Sequence, residues 1–164
     1  MVTALAIPAD VDEPIRLHEF DTSSLTAYLD VIRGDMATFR LFRPDAAMYA
    51  SQEGEVLDLP PNDRATALLW VHNSASRGFD TITGDAFIVG PLDDDMAEDL
   101  PVPDELVQLL MHTERYRIEV QTHDSNDWKP VGLIYTDWYP AYSRAMTLAR
   151  QQADIREARV VAAT

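Results

Sequence analysis

Residues 59–71 read Leu-Pro-Pro-Asn-Asp-Arg-Ala-Thr-Ala-Leu-Leu-Trp-Val, and this stretch predicts a capped helix in the N-terminal part of the chain. The two prolines lead into a helix, Asn62 is a favourable N-cap residue, and residues 65–71 form an apolar helical body. Farther along, Ala86–Val89 is too short for a helix and is predicted to be a buried strand. Helix and strand therefore occur together in one unit.

The flanking sequence adds more strands and two more helices. Strands are predicted where apolar residues alternate or form short runs, at Val2–Ile7 and at residues 15–20, 38–42 and 46–49. Residues 21–24 offer N-caps for a helix that ends at Gly34. Pro103 opens an amphipathic helix after the buried strand. Residues 1–114 therefore predict a small mixed α+β domain.

Residues 115–164 predict a second unit with the order β-β-α-β. Residues 115–122 alternate, and a run rich in turn formers separates them from a second alternating segment, which predicts a hairpin. Pro140 then opens a helix, and residues 158–162 form a last strand. A unit this small is marginally stable alone. We therefore expect it to pack on residues 1–114 or on another copy of the chain, which leaves a homo-oligomer open.

The chain is strongly acidic, and the excess of acid lies in one part of it. It has 164 residues, with 28 Asp and Glu against 13 Lys and Arg, and a formal net charge of −15. Residues 1–114 hold 22 acids and 6 bases, whereas residues 115–164 hold 6 acids and 7 bases. Such a step marks a boundary between units, which we place near Glu114. The negative charge also argues against direct binding to nucleic-acid phosphates.

The composition predicts a cytoplasmic protein. The chain has no cysteine, which excludes disulfides and thiol chemistry. No stretch approaches about 18 consecutive apolar residues, and the N-terminus lacks the basic and apolar regions of a signal peptide. We therefore expect no contact with membranes.

Sequence motifs of enzymes and cofactor sites are absent. The four histidines, His18, His72, His112 and His123, never fall three or four residues apart, so no two of them share a helical face as metal ligands. The HExxH, GxSxG, GxGxxG and Walker A strings do not occur. We therefore expect a protein that is not an enzyme and holds no metal or cofactor, with His72 at a helix end.

The densest acidic segment is a candidate interaction surface. Its members are Asp93, Asp94, Asp95, Glu98, Asp99, Asp104 and Glu105. A calcium loop alternates its acids and contains a glycine, so this spacing favours a solvated acidic loop over a metal site. Carboxylates on a rigid surface can also imitate the phosphate row of DNA and occupy the basic groove of a DNA-binding protein. Solubility alone is the plainer explanation.

Aromatic residues are concentrated near the C-terminus. The group consists of Trp128, Tyr135, Trp138, Tyr139 and Tyr142. Most of them are expected to fill the core of the small C-terminal unit. Trp138 and Tyr139 lie in the connection before Pro140, so we expect this pair to be exposed and to be available for an interface.

Three strings and one glycine connect the chain to a known family. They are Gly34 after the first helix, SQEGEVL at residues 51–57, LPPNDRAT at residues 59–66 and DTITGDAFIVG at residues 80–90. In these features, residues 2–110 resemble the family called domain of unknown function 3846, which occurs in bacteriophages and in plasmids and chromosomes of Gram-positive bacteria. The resemblance implies an accessory protein of a phage or mobile element and brings no established activity.

Four polar residues within these strings form a second candidate site. They are Asn62, Arg64, Asp80 and Asp85. If their role is functional, they line a polar pocket for a small ligand. The alternative is a structural role, in which Asn62 caps the helix and Arg64 forms an ion pair with Asp80 or Asp85.

The sequence as a whole predicts a non-catalytic binding protein. Its partner is expected to be a host or phage protein with a basic surface that handles nucleic acid, and the acidic chain would act on it as an inhibitor or DNA mimic. The alternative is a protein that binds or sequesters a small ligand at the polar set around Asn62.

Overall fold

In the described residues, 2–20, 32, 35–92 and 100–163, an antiparallel sheet of five strands organises the N-terminal part of the chain. The structure is a computed structural model. The strands are β1 (Val2–Ile7), β2 (Arg16–Phe20), β3 (Met36–Leu41), β4 (Ala46–Ser51) and β5 (Ala86–Val89), in the order β2-β1-β5-β4-β3. The strands predicted within residues 1–114 are confirmed.

Strand β5 lies at the centre of this sheet because it is apolar throughout and pairs on both sides. Its register places Ile88 opposite Leu5 of β1 and opposite Met48 of β4. These three side chains belong to the apolar cluster on one face of the sheet, whereas Phe87 belongs to a second cluster on the other face. Burial on both faces explains the short unbroken apolar run in the sequence.

Helix α1 (Asp63–His72) packs on the first of these faces and is itself buried on almost every side. Asn62 caps its first turn, where Oδ1 accepts a hydrogen bond from the Ala65 amide at 3.0 Å. A bridge between Pro61 and Thr83 ties the entry of the helix to the loop before β5. The predicted cap and helix are confirmed.

A second antiparallel sheet and two helices form the rest of the described chain. After Pro103 the elements are α2 (Asp104–Met111), β6 (Tyr116–Thr122), β7 (Lys129–Tyr135), α3 (Trp138–Gln151) and β8 (Ile155–Ala162), and the sheet order is β7-β6-β8. The amphipathic helix and the β-β-α-β order were both predicted. The protein has the α+β fold that its sequence indicates.

Helix α3 begins two residues earlier than predicted. Asp137 caps it by accepting a hydrogen bond from the Tyr139 amide, and Pro140 occupies the first turn instead of opening the helix. Trp138 is therefore helical and only 7% exposed, and its ring packs edge-on against Tyr142. The expected exposure of Trp138 and Tyr139 is wrong for Trp138, and Tyr139 is partly buried, because the aspartate cap starts the helix ahead of the proline.

Helices α1 and α3 pack against each other and so join the two sheets. One continuous apolar cluster contains Leu68 of α1 together with Ala145 and Leu148 of α3. Residues 115–164 therefore pack on the rest of the chain, as expected of so small a unit. The division into two units near Glu114 stays a prediction.

A buried hydrogen-bonded pair also ties α1 to α3. His72 ends α1 and places its Nε2 2.7 Å from the Tyr142 hydroxyl and its Nδ1 3.0 Å from the Phe42 carbonyl. Since a carbonyl only accepts, Nδ1 carries the proton and Nε2 accepts from Tyr142. Burial lowers the pKa of His72 and raises the pKa of Tyr142, so both groups are neutral near pH 7.

Two predicted features fall outside the described residues. They are the helix of residues 21–34, of which only Ile32 is described, and the acidic run from Asp93 to Asp99. None of the helices seen in the described part of the chain has the length and apolar character needed to cross a membrane.

The buried neutral His72 predicts that the free energy of unfolding falls as the pH is lowered. The unfolded chain protonates this histidine near pH 6.5, whereas burial lowers its pKa in the folded chain. The stabilisation is therefore complete above about pH 6.5 and is lost below it, at up to ~1.4 kcal/mol per pH unit. Denaturant unfolding of the parent and His72→Gln proteins between about pH 8 and pH 5 measures the effect. The stability difference between them should shrink towards the acid end, and a constant difference contradicts the prediction.

Removal of the Tyr142 hydroxyl should also lower the free energy of unfolding. Tyr142→Phe leaves Nε2 of His72 buried without a donor, which should cost about 1–3 kcal/mol in the free energy of unfolding. Tyr139→Phe is the control, since this hydroxyl on the same helix makes no hydrogen bond within the described residues, and it should cost less than ~0.5 kcal/mol. Urea denaturation compares the two variants. Equal, small losses would show that the buried pair contributes little.

Candidate functional site

Asn62 is the first of the four residues in the predicted polar set, and its side chain joins three segments of the chain by hydrogen bonds. It is 1% exposed, and its Nδ2 donates to the carbonyls of Ile7 at 2.8 Å and Gly84 at 2.9 Å. These hydrogen bonds join the start of α1 to the end of β1 and to the loop before β5. Both amide protons of Asn62 are therefore already engaged inside the protein.

Arg64 is directed at backbone carbonyls. Its Nη2 donates to the carbonyl oxygens of Pro8 at 2.6 Å and Asp10 at 3.0 Å, and its Nε is buried without a partner in the described residues. Burial lowers the pKa of Arg64, and the carboxylate of Asp10 opposes that shift. The expected ion pair with Asp80 or Asp85 is wrong, because the guanidinium is buried against the loop that follows β1 and bonds to its carbonyls.

The two aspartates of the set have different neighbours. Asp85 is exposed, and its Oδ1 accepts a hydrogen bond from the Ala9 amide at 2.9 Å. Asp80 accepts the indole N–H of Trp70 through its backbone carbonyl. Asn62, Arg64 and Asp85 thus converge on residues 7–10, whereas Asp80 lies beside Trp70. This set links the helix to the sheet.

The predicted acidic surface is described only at its end. Asp104 and Glu105 form the first turn of α2 and are exposed, where negative side chains complement the positive end of the helix dipole. The remaining members lie outside the described residues, namely Asp93, Asp94, Asp95, Glu98 and Asp99.

The ion pairs of the described residues all use acids of the C-terminal sheet. Within residues 2–20, 32, 35–92 and 100–163, each ion pair uses Glu119 or Glu157 as its acid. Even Arg43, a base of the N-terminal part, pairs with Glu157 at 3.1 Å. In those ranges no acid of residues 1–114 makes an ion pair, although Asp10 and Glu13 act on the Arg64 guanidinium from a longer distance.

A groove of about 520 Å³ runs between β8 and α2, and the sequence did not indicate it. Its lining is mainly apolar and includes Arg43, Pro44, His72, Glu105, Leu106, Leu109 and residues 158–162 of β8. The walls come from four segments far apart in the chain, so no local motif could reveal them. A volume of this size is in the range of small-molecule and peptide-binding clefts.

Trp128 lies against two arginines that line this groove, Arg43 and Arg159. The guanidinium carbons of Arg43 and Arg159 lie 5.6 Å and 4.1 Å from the centre of its ring. Such cation–π contacts tie the β3–β4 turn, whose Arg43–Pro44 peptide bond is cis, to the outer face of the C-terminal sheet. Trp128 belongs to the aromatic group that was expected to fill the core, and its ring instead contacts two arginines of the same chain.

We call the hydrogen bonds from the Asn62 side chain to Ile7 and Gly84 the Asn62 clamp. This clamp predicts that aspartate at position 62 lowers the free energy of unfolding much more than aspartate at a second asparagine cap. Asn62→Asp keeps the acceptor for Ala65 but sets a carboxylate against two carbonyls, so it should lower the free energy of unfolding by roughly 2–5 kcal/mol. Asn73→Asp is the matched control, because Asn73 also caps a turn and donates to one carbonyl, that of Arg40, but at an exposed position. It should cost less than ~1 kcal/mol. Thermal and urea unfolding test both, and similar losses at the two sites would contradict the clamp.

Comparison with known proteins identifies one family. A family model described as "Domain of unknown function (DUF3846)" matches residues 3–116. No curated protein and no solved structure matches the chain. Since the model covers well over half of the sequence, and includes the clamp of Asn62 and Arg64, the chain belongs to this family of domains of unknown function.

Proposed function

We propose that the protein is a non-catalytic binding protein whose acidic N-terminal part engages a basic, nucleic-acid-handling protein. The observation that supports it is the excess of 22 acids over 6 bases in residues 1–114, together with the lack of any ion pair to these acids within the described ranges. Such a surface attracts a basic partner and speeds its association. The proposed setting is a phage or mobile element acting on its host in the cytoplasm.

The loop after β1 presents part of this charge, and hydrogen bonds hold two of the carboxylates there in place. Asp10, Asp12 and Glu13 are exposed there, and Asp85 lies alongside. The Asp10 carboxylate accepts a hydrogen bond from the Asp12 amide at 2.9 Å, and that of Asp85 holds the Ala9 amide. Fixed carboxylates are what an imitation of a phosphate row requires, since mobile ones would lose entropy on binding.

The alternative, a small-ligand site at Asn62, Arg64, Asp80 and Asp85, has less support. Nδ2 of Asn62 and Nη2 of Arg64 donate to backbone carbonyls of the same chain, and Nε of Arg64 has no partner but is buried, so none of these donors is exposed for a ligand. We therefore place the binding function on the acidic surface.

The proposal predicts salt-sensitive capture that depends on where the acids lie. The tagged protein should capture a DNA-binding protein from host lysate at low salt, release it as salt rises, and lose it to competitor DNA. Asp10→Asn/Asp12→Asn/Glu13→Gln and Asp93→Asn/Asp94→Asn/Asp95→Asn each remove three charges from the N-terminal part. Both variants should release the partner at lower salt than the parent.

The matched control removes the same charge elsewhere. Asp124→Asn/Asp127→Asn/Asp154→Asn neutralises three exposed acids of the C-terminal part and should leave the release point unchanged. Equal shifts in all three variants would mean that net charge alone governs capture. That result, or no capture at low salt, rejects the proposal.

A further inference from the structure

Within the described residues, four arginines beside the C-terminal sheet share two acidic partners. The arginines are Arg43, Arg77, Arg117 and Arg159, and the acids are Glu119 and Glu157. Glu157 lies 3.1 Å from Nη2 of Arg43 and 4.0 Å from Nη2 of Arg77. Glu119 lies 2.9 Å from Nη2 of Arg117 and 2.6 Å from Nη2 of Arg159. Since each glutamate supplies one negative charge, the guanidinium groups exceed their partners by two positive charges.

Arg43 and Arg159 are the members of this cluster that line the groove between β8 and α2. Their side chains are 49% and 42% exposed, and Nη1 of each makes no hydrogen bond in the described part of the chain. The side chain of Arg77, in contrast, is 12% exposed, and its buried Nη2 has no hydrogen-bond partner there. Glu157 can therefore shift towards Arg77 when an anion takes its place at Arg43. The surplus positive charge is thus available at the groove.

The ring of Trp128 helps to hold both groove arginines in place. Their guanidinium carbons lie 5.6 Å and 4.1 Å from the centre of this ring, and each guanidinium also donates to a glutamate. Donors that are fixed before a ligand arrives lose little entropy when it binds. The planar guanidinium fork also matches the two oxygens of a carboxylate. The two arginines are therefore prepared to receive an organic acid.

The rest of the lining suits the apolar body of a small ligand. Leu106 and Leu109 of α2 line the groove together with Val71 and Val160, and its volume of about 520 Å³ lies in the range of small-molecule clefts. Among the described residues, Glu105 is the one acid of the lining, against two arginines. The groove therefore combines an apolar surface with a net positive charge.

The charge of the whole chain favours a small ligand over a large acidic one. The chain carries −15, so it repels nucleic acids and acidic proteins, each of which carries many negative charges. A ligand with a single carboxylate is repelled least, because it carries one charge and because physiological salt screens charges farther away than about 8 Å. The nearby arginines then determine which small molecules bind.

We infer that the groove between β8 and α2 is a binding site for a small organic acid, whose carboxylate pairs with Arg43 and Arg159 and whose apolar body lies on Leu106 and Leu109. This site is distinct from the acidic surface that the proposed function uses, so either can fail without the other. It is also distinct from the polar set around Asn62, whose amide protons bond to the chain's own backbone.

Three small probes test the site in the unmodified protein. Naphthoate has a carboxylate and an apolar body, naphthamide has the same body without the charge, and inorganic phosphate has the charge without the body. In calorimetry at physiological salt, naphthoate should bind at least tenfold more tightly than naphthamide, and phosphate should not bind detectably. In amide NMR spectra, naphthoate should shift the signals of Leu109 and Val160 and leave those of β2 unchanged.

Charge variants of the groove should change naphthoate binding in opposite directions. Arg43→Gln and Arg159→Gln should each weaken it about fivefold, whereas Glu105→Gln removes an opposing charge and should tighten it about threefold. Arg16→Gln and Glu114→Gln are the matched controls, because both residues are exposed and lie outside the groove, and they should leave binding unchanged. Thermal unfolding shows whether each variant is folded, and the comparison of probes in the parent protein stands without them.

The remaining outcomes overturn the inference. Equal binding of naphthoate and naphthamide would show an apolar groove that does not select anions, and no binding of naphthoate up to about 5 mM would show no site. A blocked peptide of alternating glutamate and leucine that binds more tightly than naphthoate would assign the groove to an acidic protein segment instead. Groove signals that shift with protein concentration, without any probe, would show that a second copy of the chain occupies it.

Discussion

Helix α1 is buried on almost every side, so an unpaired polar group along it is costly, and Nε of Arg64 is the one buried polar side-chain atom of the helix that has no partner in the described residues. Eight of its ten residues are buried, among them Arg64 near its start and His72 at its end. An unpaired polar group in such surroundings costs more than a typical hydrogen bond contributes. The cost of burying polar groups explains three interactions of this helix. They are the hydrogen bonds of the Asn62 side chain, those of Arg64 to backbone carbonyls, and the pairing of His72 with Tyr142.

The same helix explains why the two parts of the chain depend on each other. One side of α1 faces the five-stranded sheet, and another side packs on α3. The family model ends at residue 116, so the cover for that second side comes from outside the matched region. A domain that stopped there would expose Leu68, Trp70 and their neighbours unless some other element covered them. Residues beyond 116 are in this sense part of the core on which the matched residues 3–116 depend.

Local signals in the sequence predicted most elements but not their arrangement. Alternation, glycine brackets and the Asn62 cap located the strands and α1 because each of these signals acts within a few residues. The insertion of β5 between β1 and β4 could not be predicted, since it depends on pairings across roughly 40–80 positions of the chain. At α3 two start signals competed, and the cap at Asp137 prevailed over Pro140 because a proline is tolerated anywhere in the first turn.

The site posed a different difficulty, because polar residues in a turn look alike whether they bind a ligand or the protein's own backbone. Asn62 and Arg64 are of the second kind, and only the carbonyls of distant residues reveal it. The groove beside β8 is likewise made by segments that no local pattern connects. The groove is formed only in the folded chain, where the β3–β4 turn, the end of α1, helix α2 and residues 158–162 of β8 meet.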